Sequence, residues 1–327
     1  MQILQSLTVA GVSLCSAVAM AQQPVVADWN VREHLKPAEI IVQSHRGAGV
    51  LAEENTIQSF ELGWKLNTIP ESDVRTTSDG VIVAFHDANF KRVVKDAPSE
   101  LQNKGVKDLT FEQLKTLDVG SWMGDDFKGR RVNTMDEIFA VMAGRPDRHL
   151  YMDIKDVDFK NLAELVKKHK VGPQVILASP SQEKILEWKS LVPDSKTLLW
   201  IGGKTGEEQI RKFEDAKARD FNGVTQVQIH TNIKPDQDVN AVTPRSVDPF
   251  TVSDAFLVEA GDTLRAKDIL FQTLPWGASS RDVYWKLLDL GLMSFASDHP
   301  DVTRKAIEDY YKQKPSTAKT DVKQDPN

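Results

Sequence analysis

Sulfur is scarce in this sequence. Cys15 is the only cysteine among 327 residues, which excludes a disulfide framework and leaves no thiolate metal site or catalytic thiol in the body of the chain. Clustered positive charge is missing as well. The 41 Lys and Arg are outnumbered by 47 Asp and Glu, for a formal net charge of -6, and no Lys/Arg cluster stands out. That excludes a general binder of nucleic acid, which draws on massed positive charge. Any phosphate site has to be local. Long apolar runs are confined to the start: the first 21 residues carry no charged side chain and close on Ala19-Met20-Ala21. So short a run with an Ala-x-Ala ending reads as a cleaved export signal rather than a membrane span, an uncleaved N-terminal anchor being the alternative. The usual Lys or Arg near Met1 is absent, and Leu14 before Cys15 makes a poor lipoprotein site. We expect an exported protein, periplasmic or secreted, whose mature chain has neither a thiol nor a membrane span.

What is present is ordinary for a chain that folds in water, with 40% hydrophobic and 27% charged residues. The length suits one α/β barrel with insertions. From Ile40 onward, short β-rich runs alternate with amphipathic stretches, the pattern of βα units around a parallel sheet. The strand candidates are Ile40 to Gln43, Glu71 to Arg75, Val81 to Ala84, Leu150 to Ile154, Val175 to Ala178, Thr197 to Ile201, Val224 to Ile229, Ile269 to Thr273 and Ser294 to Ala296. These are nine runs for the eight places of a TIM-type (β/α)8 barrel, so one is an extra strand or not a strand at all. Helical spacing marks Thr56 to Leu66, Met135 to Met142, Phe159 to His169, Gln182 to Leu191, Glu207 to Ala218 and Ser280 to Leu290. Two stretches, 88–133 and 234–258, read as loop insertions. Residues 22–39 form an N-terminal extension to a barrel over 40–311, and the polar tail 312–327 is expected to be disordered.

Barrel enzymes carry their chemistry at the C-terminal ends of strands, and four runs place polar groups there. Ile40 to Gln43 leads into Ser44-His45-Arg46-Gly47, and Val81 to Phe85 leads into His86-Asp87. Glu71 and Asp73, two apart on an extended run, face the same side, and Asp153 and Lys155 repeat that spacing. Three carboxylates without sulfur suit one hard divalent cation, Mg²⁺ or Ca²⁺, completed by water and phosphate oxygens. Two histidines can share the proton work at near-neutral pH. Arg46 and Lys155 can hold nonbridging phosphate oxygens. Of seven tryptophans, Trp276 follows a late strand and could wall a substrate pocket. His34, His149, His169, His230 and His299 read as ordinary structural residues.

Taken together, His45-Arg46-Gly47, Glu54-Asn55-Thr56, Glu71-x-Asp73, Asp79-Gly80 and His86-Asp87 resemble, in order and spacing, the signature of the glycerophosphodiester phosphodiesterases. The likeness continues through Leu109-Thr110, Leu117 to Trp122, Phe127 to Gly129 and Thr134 to Glu137, and ends at Asp298-His299-Pro300-Asp301. It spans roughly Ile40 to Val302, weakly between Val192 and Leu264. The resemblance implies a TIM-type barrel, a bound divalent cation, and hydrolysis of a small glycerophosphodiester to glycerol 3-phosphate and an alcohol. It places His45 and His86 on the acid/base pair, Glu71 and Asp73 on metal ligands, and Arg46 on a phosphate contact. Asp153 departs from the family's usual Glu, a change shared with related phospholipase D toxins, which cyclise their lipid substrates but depend on disulfides. Pro70 sits directly before a ligand, and Phe271 to Trp276 replaces the family's Trp-Thr-x-Asn pattern. Besides the hydrolase, a phosphotransferase releasing a cyclic phosphate and a non-catalytic binding barrel stand as alternatives, although a mere binder has no need of two proton-transfer groups. The spacing does not divide the labour between the histidines; His45 as base and His86 as acid is the starting expectation.

Overall fold

Eight parallel strands close on one another. In the computed structural model, which describes residues 23–95 and 97–313, the strands are β1 (Ile41–Ser44), β2 (Ile69–Thr76), β3 (Ile82–Ala84), β4 (Leu150–Ile154), β5 (Val175–Ser179), β6 (Lys196–Ile201), β7 (Gln226–His230), β8 (Leu270–Leu274) and β9 (Ser294–Ser297). The expected signal segment 1–21 and the polar tail from 314 lie outside the described residues. The order β1-β9-β8-β7-β6-β5-β4-β2 is completed by β1 pairing with β2, and every one of these pairings is parallel. The ring is the expected (β/α)8 barrel.

The surplus run is β3, and it corrects the sequence reading. It is not a barrel strand. It folds back antiparallel on β2, with Val74 opposite Ala84 and Thr76 opposite Ile82, above the point where Ser44 of β1 pairs with Pro70. Thr77 to Val81 make the reversal, with Asp79-Gly80 at its tip and Gly80 at φ 84°, a value glycine adopts freely. Pro70 is the second residue of β2, near the strand's start, where a missing N–H is tolerated.

Alternation along each strand divides the side chains between helices and lumen. On β2, Val74 joins the apolar layer beneath the helices and Ser72 meets Met135 there, while Glu71 and Asp73 face inward. On β4, Met152 and Ile154 face out, whereas Tyr151 packs inside with Ile176, Ala178 and Leu198. Polar groups continue this inner layer: the Tyr151 hydroxyl donates to Gln226 at 2.7 Å, and Gln272 donates to Ser294 at 2.9 Å. The insertion 88–133 has its own apolar cluster, in which Phe90, Val93, Leu109, Leu114 and Val119 pack on Val83 and Phe85. The extension enters through Ala27 and Val31, both buried, and Arg32 lies over the Tyr310 ring at 3.6 Å.

The stretch 234–258 is not loop throughout, because a helix, Asp254–Arg265, starts inside it. The Ser253 side chain caps its Phe256 N–H, and Leu257, Ala260 and Leu264 supply the buried face. Asp254 also forms an ion pair at 2.7 Å with Lys286 of the helix Arg281–Asp289, with both side chains fully buried. Asp248 and Asp254 exchange backbone-to-carboxylate hydrogen bonds at 2.7 and 3.1 Å, which fastens the preceding loop to this pair. Lys286→Ala strands the Asp254 charge in the core and is expected to cost about 3–5 kcal/mol of unfolding free energy. A urea titration checks it, and a loss below about 1 kcal/mol would show that Asp254 finds compensation elsewhere.

Candidate active site

Glu71, Asp73 and Asp153 converge at the C-terminal mouth of the barrel. Asp73 and Asp153 are register partners across β2 and β4, and one oxygen from each of the three carboxylates lies within 4.8 Å of the others. Their remaining partners are arranged tightly. Lys155 Nζ lies 2.6 Å from Asp153 and 3.0 Å from Asp73, and Asn55 donates to Asp73 at 2.9 Å. The Arg46 backbone N–H donates to Glu71 Oε2 at 2.7 Å, because Arg46 adopts φ 52° in the turn after β1. Gly47 follows at φ 115°, where a Cβ would meet Ser59 Oγ at 2.1 Å, so only glycine completes this turn. Burial, followed by the Asp73 charge, pushes the Glu71 carboxyl up to about 8. Burial also raises Asp153. In Asp73 burial acts upward too, but Lys155, His86 and Arg46 overcome it and hold the group below its usual range. The Glu71 Oε1 atom is buried with no hydrogen-bond partner. An orphaned carboxylate oxygen beside two further carboxylates fits a hard divalent cation, which would satisfy that oxygen and make three ionised groups tolerable.

Each of the two histidines sets its Nδ1 against a different carboxylate. His45 lies 2.6 Å from Asp298, at the end of β9, and His86 lies 2.6 Å from Asp87. Contrary to the sequence reading, His86 does not leave the C-terminal end of a barrel strand; the returning strand β3 delivers it back over Asp73, and Phe85 N–H bonds the Asp73 carbonyl at 2.9 Å. Arg75 then holds the His86 carbonyl at 2.7 and 3.1 Å. Burial opposes charge on His45, but the hydrogen bond to Asp298 and the charges of Glu71 and Asp298 outweigh it, so the imidazole is raised above its ordinary value.

Both histidines, Arg46, Glu71, Asp153, Lys155 and Trp276 line one cavity of about 200 Å³. Trp200 of β6 and His230 of β7 continue its wall as parallel rings with centroids 5.6 Å apart. Trp276 stands across them at the mouth, 87° to His230 and 81° to His45.

The pattern of the glycerophosphoryl diester phosphodiesterase family matches residues 45–302. The chain belongs to this family. A glycerophosphodiester phosphodiesterase of Bacillus subtilis is 24% identical over 294 residues, covering 84% of this chain and 89% of its own length. Among solved structures, a glycerophosphodiester phosphodiesterase of Agrobacterium tumefaciens aligns with TM-score 0.60 at 20% identity, over 81% of this chain and 99% of its own. A phosphodiesterase of Oleispira antarctica, in complex with its product sn-glycerol-3-phosphate, aligns with TM-score 0.60 at 21% identity over 82% and 96%.

Within this member of the family, the insertion reaches back into the site through Arg92. Its guanidinium donates to both oxygens of Glu54 at 2.8 and 2.7 Å and to both oxygens of Asp87 at 2.8 and 2.9 Å. Glu54 in turn bonds Arg46 at 3.2 Å. Glu54, His86 and Asp87 also cluster closely enough to hold an ion, but Arg92 already fills the space between the two carboxylates. Arg92→Ala is expected to lower kcat/KM about 10–100-fold, the scale on which hydrogen-bonded supports of an active group act. Arg92→Lys should recover only part of this, since a point charge cannot replace a double fork. An unchanged rate in Arg92→Ala would remove Arg92 from the site's support. Arg92, Asp298, Trp200 and His230 escaped the sequence reading as site members. Asp298 was visible only as part of a motif, and His230 ends β7 much as His45 follows β1, a signal too common on its own to single it out.

Proposed function

We propose that this chain is a divalent-cation-dependent hydrolase of glycerophosphodiesters, acting after export, that releases glycerol 3-phosphate and an alcohol by proton transfer through His45 and His86. The observation that carries this reading is the pair of His–carboxylate dyads, whose imidazoles line one cavity with Glu71 and Asp153 of the acid cluster. Glu71, Asp73 and Asp153 would hold the cation, Mg²⁺ or Ca²⁺, which when bound supplies positive charge to the phosphate. Arg46 and Lys155 lie at the same mouth to receive nonbridging oxygens, and Trp276 flanks the alcohol.

In the first step the glycerol 2-hydroxyl attacks phosphorus while one histidine takes its proton and the other gives one to the departing alcohol oxygen. Water then opens the cyclic diester with the two roles exchanged, which restores both histidines. Two observations favour His45 as the first donor, the reverse of the starting expectation. Asp298 has His45 as its side-chain partner and helps to raise that imidazole, whereas the Asp87 charge is shared between His86 and Arg92. Phosphorus NMR of the reaction in water tests the function: glycerol 3-phosphate as the final product supports hydrolysis. A cyclic phosphate that persists would favour the phosphotransferase reading suggested by Asp153, and no turnover of any glycerophosphodiester would leave only a binding barrel.

A further inference from the structure

The alcohol released is the part of the substrate that the family leaves open, and the wall beside His45 bears on it. We propose that the corner formed by Trp200, His230 and Trp276 binds a quaternary ammonium group, so that the favoured substrate is a glycerophosphodiester of a trimethylated amino alcohol such as choline. This rests on the hydrolase reading above, with His45 serving the departing oxygen.

Three features carry it. The first is shape: the parallel pair Trp200 and His230 meets Trp276 at close to a right angle, which gives a rounded cation π surface on two sides. The second is that the N–H groups of the corner are spent inside the protein. Trp200 Nε1 donates to Asp153 at 3.3 Å, Trp276 Nε1 donates to His230 Nδ1 at 3.4 Å, and His230 Nε2 donates to Gln228 at 3.1 Å. No donor of these rings is left for the hydroxyls of a polyol such as glycerol or inositol, or for a carboxylate. A trimethylammonium asks for no hydrogen bond. A primary ammonium does, and would lose its hydration here without replacement. The third is charge. Burial, then the His45 and Lys212 charges, lowers the His230 imidazole to about 4, so the stacked ring is itself neutral and adds no positive charge to the corner. Ala178, Leu198 and Leu274 line the same cavity and can receive the methyl groups.

The test is a comparison of kcat/KM, at saturating metal, for glycerophosphocholine, glycerophosphoethanolamine, glycerophosphoinositol and the glycerophosphodiester of 3,3-dimethylbutanol, which has the shape of choline without its charge. The choline ester is expected to exceed each of the others by about 10-fold or more, in line with a desolvated cation–π contact. Trp276→Leu, at a position 39% exposed, should bring the ratio of choline to dimethylbutyl ester close to one. Circular dichroism of the variant verifies that it is folded. Equal turnover of the choline and dimethylbutyl esters in the parent would overturn the proposal, since a greasy pocket would then suffice. A higher rate on the inositol or ethanolamine ester would overturn it too, as would a choline preference that survives Trp276→Leu. Hydrolysis of all four esters without preference defeats only this inference. Hydrolysis of none defeats the functional reading beneath it.

Discussion

Exhaustive chelation is expected to abolish hydrolysis, and Mg²⁺ or Ca²⁺ to restore it. The reason lies in the carboxylates more than in the phosphate. Glu71 and Asp73 are almost fully buried, and the fixed cations near them, Lys155 and Arg46, are already engaged by Asp73, Asp153 and Glu54. Glu71 Oε1 is left with nothing to bond. A dication that completes this set also offsets charge on the phosphate as it develops, an effect worth several kcal/mol, so that its loss costs on the order of 10²-fold or more in rate. Glu71→Gln keeps the shape but removes the charge and should behave like the chelated parent at ordinary metal concentrations. Asp153→Asn should raise the metal concentration needed for half the maximal rate. A second readout does not depend on turnover. Metal that binds only the folded chain raises Tm, so Ca²⁺ should raise Tm in the parent and not in Glu71→Gln. Full activity in rigorously metal-free protein would sink the cation.

The legibility of this protein in its sequence follows the range of the interactions concerned. Local features could be read directly: the period-2 spacing of Glu71 and Asp73, the apolar run that ends at His45, and the signature that tied them to a family. Most of the eight barrel strands were readable for the same reason, as short runs rich in apolar residues, and β2 by the spacing of its carboxylates. The fold-back of β3 was not, because the run Val81 to Phe85 looks the same whether it completes a ring or doubles back. What decides between the two is pairing with Val74 and Thr76, and a single strand does not display its partner. The helix Asp254–Arg265 was hidden in another way. Its N-terminal Asp254 looks like loop until the buried Lys286 is placed opposite it, 32 positions along the chain. Asp298, Trp200 and His230 join the site from β9, β6 and β7 only once the barrel closes, and Arg92 arrives from the insertion, whose role as support rather than decoration depends on where its guanidinium lands.

Activated leaving groups should rescue one histidine variant and not the other. With an alcohol such as choline, the departing oxygen is poor at carrying negative charge, so protonation of it in the transition state is worth typically 10²–10⁴-fold. With p-nitrophenolate it needs little help. If His45 is the donor, as its pairing with Asp298 favours, His45→Ala should lose on the order of 10²–10⁴ on glycerophosphocholine and far less on the p-nitrophenyl diester. His86→Ala should lose a similar factor on both, because the 2-hydroxyl must give up its proton whatever leaves. Asp298→Asn adds a graded check. It keeps a hydrogen-bonding group beside His45 Nδ1 but removes the charge that raises the imidazole, so the donor should deprotonate at lower pH. The alkaline limb of the kcat/KM profile, where activity falls as the donor loses its proton, should therefore move to lower pH, with the acid limb left in place. Each ratio is taken against the parent on the same substrate, so any difference in how the two alcohols fit the aromatic corner cancels. Rescue of His86→Ala instead would return the roles to the order first expected from the sequence. Equal losses in all four combinations would mean that neither histidine is tied to the leaving oxygen, and the two-dyad mechanism would fall with them.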